Sequence, residues 1–312
     1  MTITPVVIGI DVSKHHLDMF DIARGQAEQC PNSCEAVEAL AARFAPADAF
    51  VVFEATGCYD RRLRLALAAA GVRFARVNPR RARDFARAAG FLAKTDRLDA
   101  RMLAAMGQAL GRQMPGGSRV SAERERLALL HKRRDQLVAM RQQERTRLSE
   151  CGDAEIAADI EHHVAWLDTR VRAMEARIRD CIAASRELAR AEALLRSVPG
   201  IGPVAAASLL ACAPELGQRP AKSMGALAGL APLNADSGLR HGRRRIRAGR
   251  KRIRDALYMA ALAAVRCSTR FGDFHRRLRA AGKPPKLALI AVARKLLVTA
   301  NAVLRDQVAF HA

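Results

Sequence analysis

Three short strand-like segments that stop at polar residues constrain this chain most. Val6-Val7-Ile8-Gly9-Ile10 runs into Asp11, Ala49-Phe50-Val51-Val52-Phe53 runs into Glu54, and Val72 to Val77 ends at Asn78-Pro79. The first two, without polar alternation, suit strands buried on both faces, and Val72 to Val77 reads as a third strand beside them. His16 to Ile22 alternates polar and apolar, as a half-exposed strand does. Helical stretches fall between and after the runs. One is capped by Ser33 and runs through Val37, Leu40 and Ala41 to about Phe44, and another covers Arg61 to Ala70 and is closed by Gly71. Two more occupy about 80–90 and 95–111. Strands first, then strands alternating with helices, predict an α/β layered domain over 1–114.

The rest of the chain is built differently. Seven of the ten Phe residues lie before position 92, and beyond it the apolar residues are mainly Ala, Leu, Val and Ile, which suit helices. Pro115-Gly116-Gly117-Ser118 reads as a linker. A charged stretch over 119–150 carries Leu127, Leu130, Leu137, Met140 and Leu148, and Cys151-Gly152-Asp153 breaks it. Then Ile160, Val164, Leu167, Val171, Met174, Ile178 and Cys181 recur in alternating steps of four and three, a heptad seam. Residues 119–186 are therefore expected to form a helical hairpin or coiled-coil arm, packing on itself or on another subunit. Residues 187–312 read as a mainly helical domain. Its first helix ends at Pro199-Gly200-Ile201-Gly202, and Pro203 starts the next. A short helix covers about 222–230, and 231–249 looks irregular. Helices follow over about 250–267 and 286–308, with a shorter one between them.

Charge narrows the partners. Lys plus Arg number 53 against 31 acids, a net charge of +22, so the surface attracts polyanions, nucleic acid first among them. No apolar run is read as approaching the roughly 20 residues of a spanning helix, and the start lacks the pattern of a secretory signal. Seven scattered cysteines include no CxxC pair, and no histidine pair has zinc-finger spacing. Reduced thiols in a cytoplasmic protein without a membrane partner are the expectation.

Asp11 and Glu54 each end an apolar strand. In a parallel pair those ends are adjacent, and ligands bind there. Asp96 and Asp99 are three apart at the start of a helix, so they share a face. Four converging carboxylates repel one another unless a hard cation neutralises them, and oxygen-only ligands favour Mg²⁺ or Mn²⁺. Two such ions can activate an attacking oxygen and stabilise a leaving one in phosphoryl transfer. The alternatives are local: Asp11 closing a turn, Asp96 as an N-cap with Asp99 in the first turn. Asp18 and Asp21 are rival acids on a segment read as less buried.

The 199–203 turn has the pattern of a helix-hairpin-helix, in which the amides around Gly200 and Gly202 hold a backbone phosphate without reading sequence; an ordinary interhelical turn is the alternative. The densest positive charge is Arg240, Arg243, Arg244, Arg245, Arg247, Arg250, Lys251, Arg252 and Arg254, with no acid among them. A solvated helix face normally mixes signs, so a one-sign run of this length reads as a phosphate-binding surface. Few aromatics leave little scope for base stacking. Just before the run, Ser237-Gly238 offers a hydroxyl beside concentrated arginine, suited to attack a phosphodiester, although most loop serines have no such role.

Taken together, Ile8-Gly9-Ile10-Asp11-Val12-Ser13-Lys14, Phe53-Glu54-Ala55-Thr56-Gly57, Lys94-Thr95-Asp96-Arg97-Leu98-Asp99-Ala100, Val198-Pro199-Gly200-Ile201-Gly202-Pro203, Gly229-Leu230-Ala231-Pro232 and Ser237-Gly238 resemble the ordered motifs of one family. It is the DEDD transposases of the insertion-sequence family called IS one-ten, with its IS eleven-eleven branch. The resemblance spans nearly the whole chain. It implies a RuvC-like, RNase H-type N-terminal domain whose Asp11, Glu54, Asp96 and Asp99 bind Mg²⁺. It also implies a C-terminal transposase domain whose Ser237 forms a covalent link to DNA. Further implied are a structured noncoding bridge RNA that pairs with target and donor DNA, and dimers or tetramers joined by the helical arm. The acids of one protomer would then meet the serine of another. Two other functions remain open to the same residues: a Holliday-junction resolvase-like nuclease that uses water, and a noncatalytic nucleic-acid-binding scaffold.

Overall fold

The computed structural model describes residues 6–91, 95–114, 116, 121–232, 246 and 249–311, without the side chains of Asp96, Arg97 and Arg112. The chain divides into two compact units, Met1–Arg119 and Val120–Ala312.

The first unit holds strands β1 (Val7–Val12), β2 (His16–Asp21), β3 (Gln26–Pro31), β4 (Phe50–Glu54) and β5 (Arg73–Val77), and helices α1 (Cys34–Phe44), α2 (Arg61–Ala69), α3 (Pro79–Ala88) and α4 (Asp96–Leu110). The five strands form one sheet in the order β3-β2-β1-β4-β5. β1 pairs antiparallel with β2, and β2 with β3, whereas β1, β4 and β5 run parallel. The expected α/β domain is therefore present, with a strand the sequence did not announce. β3 reads Gln-Ala-Glu-Gln-Cys-Pro and is exposed almost throughout. It has no apolar face to bury, and its hydrogen bonds to β2 alone make it the sheet edge.

Side-chain alternation sorts the central strands into two cores. Ile8, Ile10, Val51 and Phe53 pack with Val37, Leu40, Leu63 and Leu67 beneath α1 and α2. Val7, Phe50, Val52, Ala75 and Val77 pack with Ala82 of α3 and with Met102, Leu103 and Met106 of α4. Glycine sets the distance of α4 from the sheet. A Cβ on Gly9 would lie 2.0 Å from the Ala100 carbonyl oxygen, and one on Gly107 would lie 2.7 Å from Val7 and from Val52. Moving forward along α4 thus means moving backward along β1, so the helix starts over the C-terminal ends of β1 and β4.

The second unit is helical: α5 (Ala122–Glu150), α6 (Ala154–Ala183), α7 (Arg186–Arg196), α8 (Pro203–Cys212), α9 (Ala221–Leu227), α10 (Lys251–Cys267), α11 (Thr269–Ala280) and α12 (Pro285–Asp306). α5 and α6 form the hairpin that the heptad seam foretold. Arg134 bonds Glu175 at 2.8 Å and Arg141 bonds Asp168 at 2.5 Å, so seven residues forward on one helix match seven back on the other. Leu167, Val171, Met174 and Ile178 of the seam are buried, but Ile182 takes the next buried place rather than Cys181. The proximal parts of α5 and α6 share one apolar core with α7 to α12. α12 corrects the expectation about apolar runs, since it is long and apolar enough to cross a membrane. Its Ala288, Val292, Ala293, Leu296, Leu297 and Ala300 are nevertheless buried in that core, which accounts for its composition. All seven cysteines are free thiols.

Candidate active site and nucleic-acid interface

The register of the sheet decides where the acids lie. β1 and β4 pair through Ile10 and Phe53, so Asp11 and Glu54 occupy the next position on adjacent parallel strands. Gly9 and Val52, two residues earlier, face α4, and alternation puts both carboxylates on that face. Asp96 is the first residue of α4 and Asp99 lies one turn in, just before the Ala100 that sits on Gly9. The N-cap of α4 is Thr95, whose hydroxyl accepts from the Leu98 amide. Capping therefore does not explain Asp96, and Asp11 lies within β1 rather than closing a turn. The backbones of all four acids converge on the C-terminal edge of β1 and β4. Among the described residues, no three histidine, cysteine or carboxylate side chains stand close enough together to hold an ion.

Asp18 changes standing. It lies directly across the antiparallel ladder from Asp11, is only 5% exposed and accepts a 2.9 Å bond from the Gln29 side chain. The sequence reading set it on a less buried segment because its neighbours alternate, but α4 covers β2 as well as β1; Arg101 of α4 stacks over Phe20. Like charges directly opposed on a ladder are unfavourable, so the pairing adds to the demand for a counter-charge.

Asn32 was not singled out in the sequence, yet it ties the acid-bearing strands together. Buried, it donates to the Ser13 carbonyl at 2.9 Å and to the Tyr59 carbonyl at 3.1 Å. Those carbonyls belong to the segments that leave β1 after Asp11 and β4 after Glu54. Arg62 holds the Asn32 carbonyl at 2.7 Å. Asp60, also buried, accepts from Arg76 of β5 at 2.6 Å and anchors the end of the same loop. A lone Asn before a helix cap carries no sequence signal for such a role.

In the second unit, Gly200 and Gly202 differ. Gly200 has φ +88°, and a Cβ there would lie 2.4 Å from the Ala260 carbonyl oxygen, so its smallness lets the turn rest on α10. Gly202 faces open space and caps α8 without a side chain. With Pro203 next, the Val204 and Ala205 amides are left in the unbonded first turn of α8, as an anion site requires.

Of the basic run, Arg240, Arg243, Arg244, Arg245 and Arg247 lie outside the described residues, as does Ser237. Three of the remaining members pair with acids, two of them distant in sequence. Arg250 forms a two-pronged pair with Glu215, both bonds 2.7 Å, and donates to the Cys212 carbonyl. Burial raises the Glu215 pKa, but the Arg250 hydrogen bond and charge outweigh it and hold the carboxyl below its usual range. To bind phosphate, Arg250 would have to release that pair. Lys251 pairs with Asp255 at 2.6 Å, Arg252 with Asp135 at 3.2 Å, and Arg254 is half-buried. The segment between α9 and α10 is closed at its base. A Cβ on Gly249 would lie 2.1 Å from the Gly229 nitrogen, and the Arg250 amide donates to the Leu227 carbonyl at 2.8 Å.

Asp135 also approaches His131 Nδ1 at 3.5 Å, while His131 Nε2 lies 2.6 Å from Ser208 Oγ. The order carboxylate, imidazole, hydroxyl is that of a hydrolase triad. Both His131 and Ser208 are buried, and Ser208 lies inside α8, where the backbone amides are already bonded and form no oxyanion hole. The chain of contacts is a structural link between α5 and α8. Burial, with the Arg134 and Arg252 charges, pushes the His131 pKa below its ordinary value despite Asp135.

Two family models match the chain. One, for the DEDD transposases of IS110, covers residues 8–151, and the other, described as transposase IS116/IS110/IS902 family, covers residues 192–276. The chain is 28% identical over 311 residues to the pilin gene-inverting protein of Moraxella bovis, an alignment covering 96% of this chain and 95% of that one. It is 32% identical over 154 residues to the uncharacterized 44.8 kDa protein of insertion element IS116 from Streptomyces clavuligerus, covering 49% of this chain and 38% of that one. Among solved structures, T. thermophilus RuvC in complex with a Holliday junction substrate aligns with 35% of this chain and 96% of its own, at 16% identity and a TM-score of 0.27.

Proposed function

The chain belongs to the IS110 (IS one-ten) family of transposases, and from that premise we propose that it cleaves and rejoins the DNA strands of an insertion sequence. In this reading the first unit is a RuvC-like domain whose Asp11, Glu54, Asp96 and Asp99 bind Mg²⁺ or Mn²⁺, and Ser237 is the nucleophile. The observation that carries it is the shared edge: two acids in register on parallel strands, beneath a helix whose first turn bears the other two. The donor set is all oxygen, and several carboxylates gathered on one edge suit a hard divalent ion. Bound there, the ion supplies a Lewis acid for phosphoryl oxygens.

The chain's own residues do the remaining work. Gly9 lets α4 bring its first turn down to the strand ends, and Asn32 fixes the two segments that leave them. The positive end of the α4 dipole faces the carboxylates. Ser237 Oγ bonds to phosphorus as a deoxyribose oxygen leaves, and rejoining reverses the exchange. The name of the Moraxella relative speaks of inverting a gene, which requires rejoining as well as cutting and so favours a covalent route over hydrolysis. A bridge RNA that pairs with target and donor DNA would supply sequence choice, leaving the protein to hold backbones through the basic run and the Gly202 turn. The α5–α6 arm would join protomers into dimers or tetramers with composite sites.

The test uses purified protein, its flanking RNA and DNA that spans the element ends. Ser237→Ala should abolish both strand cleavage and the covalent protein–DNA adduct, and Asp11→Asn should slow cleavage by about a thousandfold. Cleavage that survives Ser237→Ala would identify a hydrolytic nuclease. Activity untouched by Asp11→Asn would leave only a binding scaffold.

A further inference from the structure

The acids of the first unit need positive charge of their own, because a DNA strand approaching four carboxylates is repelled. α3 carries it. Its sequence Pro-Arg-Arg-Ala-Arg-Asp-Phe-Ala-Arg-Ala turns Ala82, Phe85 and Ala86 into the core beneath α4 and leaves Arg80, Arg81, Arg83 and Arg87 exposed. Asp84 is the one acid on the helix. Among the described residues none of these four arginines has an ion-pair partner. The neighbouring β5 arginines differ, since Arg73 pairs with Asp48 and Arg76 with Asp60.

Position adds to composition. Val77 of β5 is the register partner of Glu54, and α3 begins two residues later. Because its buried residues join the core between the sheet and α4, α3 lies on the sheet face that carries the acids. Arg80, Arg83 and Arg87 follow steps of three and four, so they form one stripe about 10 Å long. That length spans about three phosphates of one DNA strand along the duplex axis.

We propose that the α3 stripe of Arg80, Arg83 and Arg87 is a second DNA-binding surface, separate from the C-terminal basic run, that holds the phosphate backbone beside the carboxylates. The inference rests on the transposase reading and adds to it the residues that deliver the substrate to the acid face.

The full chain carrying Arg80→Gln, Arg83→Gln and Arg87→Gln tests it, titrated against a labelled duplex of arbitrary sequence at several salt concentrations. The plot of log affinity against log salt should become shallower by about 2 to 3, near 0.9 for each phosphate no longer neutralised, and affinity at low salt should fall at least about tenfold. The corresponding triple Arg→Lys variant should keep the wild-type slope. Both variants should melt with the wild type, because the side chains are exposed. An unchanged slope and affinity in a folded glutamine variant would overturn the proposal, as would loss of binding to structured RNA alone. Wild-type protein that binds no duplex at all would instead bring down the transposase reading beneath it.

Discussion

The acid-bearing edge of the sheet and the α5–α6 arm are built to opposite tolerances. At the edge, position is set by a few tight contacts: a glycine under α4, a buried Asn across two strand exits and the buried Asp60 paired with Arg76 at the end of the loop. Along the arm, position is shared among many weak contacts. No residue of α5 beyond Leu137 and none of α6 before Leu167 is buried, and Arg134, Arg141 and Arg145 bridge to Glu175 and Asp168 near the surface. Phosphoryl transfer needs acids placed to within a fraction of an ångström. An arm that docks on another helix needs a seam and a register, and can flex without losing either. The difference teaches that one damaging substitution should disable the first region, whereas the second should absorb several.

The sharpest way to break that contrast is Gly9→Ala. Its Cβ collides with the Ala100 carbonyl and the Ala104 amide, so α4 must lift from β1. A loss of about 3 kcal/mol is expected in denaturant titration, with faster hydrogen exchange in β1 and β4. If α4 moves, cleavage should fall further than stability. A stable, active Gly9→Ala protein would mean that the edge is not held so tightly.

A middle-sized effect concerns His131, where the arm enters its core. Burial lowers the folded-state pKa, so the unfolded chain takes up the proton first. Stability should be flat above about pH 7 and should fall as pH drops below about 6.5, the usual histidine value, continuing until the folded-state pKa is passed. Thermal melts from pH 5 to 8 would follow this, and His131→Gln should remove the histidine share of the slope. Coincident profiles would sink the assignment.

The smallest effect belongs to Arg141→Ala. Its bond to Asp168, which together with the Arg145 and Arg172 charges keeps that carboxyl below its usual range, lies at the surface. The melting temperature should change by less than about 2 °C, less still in high salt. A large drop would show that the arm depends on single contacts after all.

Much of this was legible in the sequence, for reasons that can be named. β1 and β4 announced themselves because strands buried on both faces cannot carry polar alternation. Ser33 was readable as the cap of α1 because the small polar side chain precedes the apolar period. Asp11 and Glu54 stood out as charges at the ends of apolar runs. What stayed hidden depends on partners far along the chain. β3 is a strand only because β2 lends it hydrogen bonds. Asp18 is buried only because α4 covers it. Arg250 reads as one more free cation until Glu215, in a different helix connection, takes both its prongs. α12 resembles a membrane span because a core helix enclosed by other helices needs the same residues. The arginines of α3 were in plain view, but their place beside the acids exists only once β5 pairs with β4.

The crossing of Gly229 and Gly249 fixes the two ends of the segment between them at one point. Ser237 is eight residues from the first of these glycines. At about 3.5 Å per residue, no more than about 28 Å of backbone separates it from that fixed point. A DNA strand attacked by the proposed Ser237 nucleophile would therefore have to come within that reach of the anchor, and residues inserted between Gly229 and Ser237 should widen the choice of phosphate at the expense of accuracy.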